Sequence, residues 1–224
     1  MDVQIATRES VRLRGILPCF AVEICALQGE QDITLKNFRR RLSVGVTLCI
    51  PPFQEFSLSV FGTNSAPGNL RIKIAIGHTE GQSHKSVLSS LAQARDTCLA
   101  DAVSRAVFLA PALDWSARFI AAELGIPERK VRAELFRKGQ SLSSIITSQR
   151  LNRALFELLA QNLVLAKLSE QIGWKVEKDL PAAFFDRFGI TMERVAVLRS
   201  RSQGGLAAAP VAARQFLPMP SISG

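Results

Sequence analysis

Apolar and polar residues alternate with period two over the first third of the chain. Ile33 and Leu35 alternate in DITLKNF, Phe56, Leu58 and Val60 in FSLSV, and Ile72, Ile74 and Ile76 in RIKIAI. A strand sends successive side chains to opposite faces, so this spacing predicts half-buried strands up to about residue 80. Gly45, the Pro51 and Pro52 pair and the segment GTNSAPGN, from Gly62 to Asn69, predict the corners between them. A small antiparallel sheet or barrel over residues 1–82 is the expected form.

From Ser83 onward the apolar spacing moves toward 3.6, and Gly and Pro thin out within the runs. Leu88, Leu91 and Ala92, with Cys98, Leu99 and Ala102 further on, line one face of a helical connector over residues 83–105. The Pro111 region, APALDW, predicts a joint into a second, all-helical domain over residues 106–201. The last stretch, 202–224, is rich in Gly, Ala, Pro and Ser and reads as a flexible tail.

One stretch of the helical part stands out. In AAELGIPERKVRAELFRKG, from Ala121 to Gly139, two helical patterns flank Gly125 and Ile126. Phe119, Ile120 and Leu124 are placed to face inward, and the small Ala121 and Ala122 allow close packing. Gly125 supplies the left-handed conformation of a tight helix end. Pro127 suits the start of the next helix, and Glu128 complements its positive N-terminus. Val131 and Leu135, four apart, share a buried face. Arg129 and Arg132 lie on another face at i and i+3, with Lys130, Arg137 and Lys138 around them. That is the layout of a helix-turn-helix whose second helix enters the major groove. An ordinary helical hairpin with a solvated basic face has the same pattern.

Charge bears on that choice. The 224 residues carry a formal net charge of +9, with 47% hydrophobic and 21% charged residues, a globular balance attracted to polyanions. Nucleic acid is the first such partner, with anionic lipid or acidic protein behind it. Cys19, Cys25, Cys49 and Cys98 form no C-x-x-C pair, so buried free thiols are expected, with redox sensing as the alternative. The apolar run from Ile16 to Leu27 is interrupted by Pro18 and Glu23 and makes a poor signal peptide, and no long uncharged stretch reads as a membrane span. A cytoplasmic protein without a membrane partner is expected. His78 and His84, six residues apart, do not form a metal-ligating set, and there is neither a phosphate loop nor a G-x-S-x-G elbow. No catalytic residue, metal or cofactor is therefore expected. The run Arg39, Arg40, Arg41 reads as a solvated turn between strands, with phosphate contact as the alternative. Trp115 and Trp174 read as core anchors at helix ends.

After Gly139, QSLSSIITSQRLNRALFELL predicts a long helix, followed by LAKLSEQIGWKVEKDLPAAFFDRFGITMERVAVLR. Over about Ala106 to Arg201 the chain resembles the DNA-binding domain of AraC-type bacterial transcription regulators. The resemblance rests on IAAELGI followed by VRAELFRKGQS, on Arg150 and Ala154 in the linker helix, and on LSEQIGW followed by AAFFDRFGIT. It implies two helix-turn-helix units, at about 117–138 and 165–188, joined by a linker helix, and a core of Val131, Leu135, Leu151, Leu158, Ile172, Phe184 and Phe188. The stretch QGEQDITLKNFRRRLSVGVTLCIPPFQEFSLSVF resembles the small cupin-like barrel of the same regulators. The implied fold class is α+β, a β-barrel followed by an all-α domain. The implied function is sequence-specific binding of double-stranded DNA, usually to activate transcription. RNA polymerase is an implied partner, and the barrel is expected to sense a small molecule or to form a homodimer, with the connector as a possible dimer helix.

Carried over by position, the base-facing places of the first recognition helix fall on Arg129, Arg132 and Ala133, the last of which is basic in most of the family. Those of the second fall on Glu177, Lys178 and Ala182. Pro181 stands where the family has an uninterrupted helix, and an interior proline there would cost about 3 kcal/mol. Asp179 is placed to cap a shortened helix that tolerates Pro181 in its first turn. Met192 replaces the proline expected after Gly-x-Thr. Lys130, Arg137, Lys138, Arg150 and Lys178 are phosphate candidates, and Arg150 has a structural role as its alternative. A co-regulator or antagonist of the same fold with weak readout is the rival function.

Overall fold

The computed structural model of the chain describes residues 1–36, 38–76, 98–161, 164–175, 177–198 and 214–216. Its first part is β: β1 (Asp2–Thr7), β2 (Val11–Ile16), β3 (Val22–Gln28), β4 (Gln31–Leu35), β5 (Phe38–Leu42), β6 (Thr47–Ile50), β7 (Phe56–Val60) and β8 (Gly68–Ile74). These pair antiparallel into two sheets, ordered β1-β8-β3-β6 and β2-β7-β4-β5. The alternation in sequence becomes alternation in burial. β7 buries Phe56, Leu58 and Val60, and β8 buries Leu70, Ile72 and Ile74 while Arg71 and Lys73 face water. The apolar run from Ile16 to Leu27 includes most of β3, with Val22, Ile24 and Ala26 in the core.

Three local expectations are corrected. Gly68 and Asn69 belong to β8 rather than to the corner, and Ile76 lies beyond the strand end. Arg39, Arg40 and Arg41 lie within β5, not in a turn. The cause is Asp32, buried on β4 opposite Arg41 in the register. Arg39 Nε donates to its Oδ2 at 2.9 Å, and Arg41 Nε lies 3.6 Å from its Oδ1. The turn falls later, where Gly45 takes φ +82° and its N–H donates to the Ala26 carbonyl.

The second part is helical: α1 (Leu99–Leu109), α2 (Ala117–Leu124), α3 (Glu128–Arg137), α4 (Leu142–Ala160), α5 (Leu165–Gln171), α6 (Leu180–Phe188) and α7 (Met192–Leu198). A last strand, β9 (Arg214–Phe216), runs parallel to β6 at the edge of the first sheet, inside the stretch read as a flexible tail. Leu88, Leu91, Ala92, His78 and His84 lie outside the described residues. No helix among the described residues is long and apolar enough to cross a membrane, and no group of three His, Cys, Asp or Glu among them is placed to hold a metal.

The apolar interior divides in a way the sequence boundary does not. One cluster takes in both sheets, the C-terminal half of α4 and helices α5 to α7, with Leu13, Ile24, Phe56, Leu155, Phe184 and Phe188 among its members. The other takes in α1, α2, α3 and the start of α4, around Val103, Trp115, Ile120, Val131, Leu135 and Ile145. All seven residues expected in the helical core are buried, as are both tryptophans.

Candidate nucleic-acid interface

The pair α2 and α3 forms as its residues dictate. Ser116 caps α2, its Oγ accepting from Phe119 N at 3.1 Å. Gly125 ends the helix at φ +63°, and Ile126 N donates back to the Ala121 carbonyl at 3.1 Å. Pro127 stands at the N-cap of α3, and Glu128 is its first helical residue. Val131 and Leu135 pack against the cluster that holds Trp115, whose indole N–H donates to the Ala110 carbonyl at 2.9 Å. Burying that face fixes the opposite one. Arg129, Lys130, Arg132, Ala133, Phe136, Arg137 and Lys138 are all exposed.

The cations on this face differ in their freedom. Glu128 accepts from Arg132 Nε at 3.2 Å one turn away, and Glu134 pairs with Arg137. Arg129 and Lys130 have no ion-pair partner among the described residues. Arg132, Ala133 and Phe136 also line an open, largely apolar cleft of about 570 Å3 that Ala117, Gln140 and Leu142 help to enclose. Phe136 is 83% exposed, the most exposed large apolar side chain among the described residues. Its spacing of seven from Arg129 and four from Arg132 places it on their face, a signal that sequence reasoning missed.

The second pair, α5 and α6, has a different surface. Asp179 Oδ1 accepts from Ala182 N at 3.0 Å and caps α6, so Pro181 falls in the first turn, where no hydrogen bond is lost. The helix therefore starts at Leu180. Glu177 and Lys178, placed on a recognition helix by position, lie in the exposed turn before it, and the Lys178 carbonyl accepts from the Trp174 indole at 3.0 Å. The exposed residues of α6 are Pro181, Ala182, Phe185 and Asp186, with no cation among them. Its one basic residue, Arg187, turns toward the sheets and meets Glu55 at 3.2 Å. Met192 opens α7 with its side chain buried.

α4 holds the parts together with polar side chains. Arg150 Nε donates to the Pro111 carbonyl at 2.9 Å and Nη2 to the Leu113 carbonyl at 3.0 Å, so its guanidinium fastens the joint before α2. Burial lowers its pKa, with Asp114 acting in the opposite sense. Of the two readings of Arg150, this geometry matches the structural one. Asn152 exchanges hydrogen bonds with the Leu17 backbone, donating at 2.9 Å and accepting at 3.4 Å. Arg153 donates to Glu157 at 2.7 Å and lies over the Phe108 ring of α1 at 5.5 Å. On the far side Arg194 pairs with Glu9. The pairs Asn152 with Leu17 and Arg194 with Glu9 leave no local signal, because each joins residues far apart in number.

No protein-family model matches the chain, and no curated protein does. Among solved structures, ToxT from Vibrio cholerae aligns with 12% identity over 88% of this chain and 97% of that chain, at a TM-score of 0.59. ToxT from the same organism with an unsaturated fatty acid bound aligns with 10% identity over 89% and 95%, at 0.60. A third ToxT structure, bound to (E)-4-(8-methylnaphthalen-1-yl)but-3-enoic acid, aligns with 12% identity over 88% and 98%, at 0.60. At such identities the likeness is one of architecture: the chain shares the α+β fold of these structures, a β-rich part followed by helices.

Proposed function

We propose that the chain is a cytoplasmic transcription regulator that binds double-stranded DNA with sequence preference and activates transcription. Helices α2 and α3 act as a helix-turn-helix, with α3 in the major groove. The observation that carries this reading is the outward array on α3, where the ten-residue helix and its C-cap present Arg129, Lys130, Arg132, Arg137 and Lys138 to solvent. Arginine suits the task because its planar fork grips guanine O6 and N7 together. Arg129 and Arg132 read bases, while Lys130, Arg137 and Lys138 hold phosphates. Helices α5 and α6 act as a second helix-turn-helix that braces the assembly, with Lys178 and Glu177 at its entry turn. The two sheets act as a cupin-like barrel for dimerisation or for a small-molecule effector, a role supported by the fatty acid bound to ToxT. RNA polymerase is the partner in activation.

A second reading has its own observation. The exposed face of α6 bears no cation, which favours a co-regulator with the same fold and weak readout. Titration with salt on a selected site and on random duplex separates the two. A regulator loses affinity steeply with salt and prefers its site by orders of magnitude. Weak binding that ignores sequence would favour the co-regulator.

A further inference from the structure

We infer that Phe136, with Ala133, reads thymine in the major groove. This rests on the proposed DNA-binding role of α3 and names a specificity determinant within it. The first ground is placement. Residues 129, 132, 133 and 136 stand at i, i+3, i+4 and i+7, which puts their side chains on one face over two turns. That face is turned to solvent because Val131 and Leu135 hold the other in the core. Arg132, Ala133 and Phe136 line the same cleft, so the guanidinium and the apolar pair adjoin.

The second ground is chemistry. A phenyl ring left exposed on a basic helix surface forgoes a stabilisation that burial would supply. It sits beside Ala133, where a cation would add a further phosphate or guanine contact. Together the two make an apolar spot on a helix surface whose exposed cations include Arg129, Arg132 and Arg137. Within the major groove the apolar group that distinguishes one base from the others is the thymine C5-methyl, and alanine and phenylalanine are suited to contact it. The flanking arginines then select guanine, so this helix specifies neighbouring guanine and thymine positions by two separate means.

The test uses the full chain and a duplex selected by it from a random pool. Each thymine is replaced in turn by deoxyuridine, which keeps every hydrogen-bonding group and removes only the methyl. At one or two positions the replacement is expected to weaken binding about four-fold, the value of one buried methyl group. The Phe136→Ala variant, whose folding is checked by circular dichroism, is expected to bind the thymine duplex about as weakly as the parent binds the deoxyuridine duplex, and to be indifferent to the replacement. Its guanine preference stays intact, whereas Arg132→Ala loses guanine preference and keeps the methyl effect. Equal methyl sensitivity in parent and Phe136→Ala, or none in the parent, overturns the inference while a retained guanine preference leaves the regulator reading standing. A pool that yields no motif overturns both.

Discussion

Gly15 faces the end of α6 so closely that a Cβ there would sit 2.6 Å from the carbonyl oxygen of Arg187. The approach is possible because β2 is irregular between Leu13 and Ile16, with Gly15 at φ +65°. Gly189, at the end of α6, answers it: a Cβ at that position would meet Arg14 Nε at 2.6 Å. Sheet and helix thus meet backbone to backbone, with an arginine beside each glycine. Gly15→Ala is expected to cost about 2–3 kcal/mol in chemical denaturation, part from left-handed strain and part from the displaced carbonyl. Gly45→Ala, also left-handed but open to solvent, supplies the control and should cost about 1–2 kcal/mol. Equal losses at the two sites would show that the close approach contributes nothing.

The two apolar clusters predict two cooperative units. Leu135→Ala removes a side chain from the cluster of α1 to α3, and Phe184→Ala removes one from the cluster shared by both sheets and α6. Each should cost about 2–5 kcal/mol. In hydrogen exchange, Leu135→Ala is expected to speed amides of α2 and α3 while leaving β3 and β7 protected. Phe184→Ala should loosen α6 and the β strands together. Uniform acceleration everywhere in both variants would mean a single unit.

Arg150 offers a prediction that separates holding from DNA contact. Its donors are engaged by the Pro111 and Leu113 carbonyls, so Arg150→Ala should lower the melting temperature and leave the salt dependence of DNA binding unchanged. A phosphate contact would instead reduce the salt slope by about one. Gly173 belongs to the same joint, since a Cβ there would meet the Ala112 Cα at 2.7 Å and the Pro111 oxygen at 2.8 Å.

Glu128 tempers α3 from within. Its pairing with Arg132 resembles helix pairs of about 0.3–0.5 kcal/mol, so Glu128→Gln should change stability little. Removing a carboxylate from the basic face frees the guanidinium, and DNA affinity at low salt is expected to rise several-fold in a fluorescence anisotropy titration. Unchanged affinity would place Arg132 away from the duplex.

Cys19 is buried, and that burial pushes its thiol pKa well above the ordinary value. Unfolded thiols ionise near about pH 8.5, so the unfolded chain loses this proton first and stability should decline as pH rises beyond that point. Cys19→Ala is expected to flatten the decline. In the native protein Cys19 should resist alkylation until the chain unfolds, as mass spectrometry of the modified peptides can show.

Periodicity made the local elements legible. Leu58 and Ile72 announce strands, and Val131 and Leu135 announce the buried side of α3, because those signals depend only on neighbours in the chain. Capping was legible for the same reason, with Gly125 and Asp179 placed where backbone geometry demands them. Arg39 to Arg41 misled because their partner, Asp32, acts across a strand pair. Glu177 and Lys178 fall in the turn before α6 because Asp179 caps the shortened helix that Pro181 permits. Contacts such as Asn152 with Leu17 leave no trace in local pattern at all. Phe136 was visible as a spacing, yet its meaning depended on knowing which face the core had taken.

The parallel seating of Arg214–Phe216 beside Thr47–Ile50 ties the last described segment of the chain to a strand of the first sheet. A version shortened after the helices would present Thr47–Ile50 as a bare hydrogen-bonding margin, the kind of surface on which foreign strands nucleate aggregation. Shortened proteins intended to isolate α2 and α3 therefore need that margin covered or omitted along with its sheet.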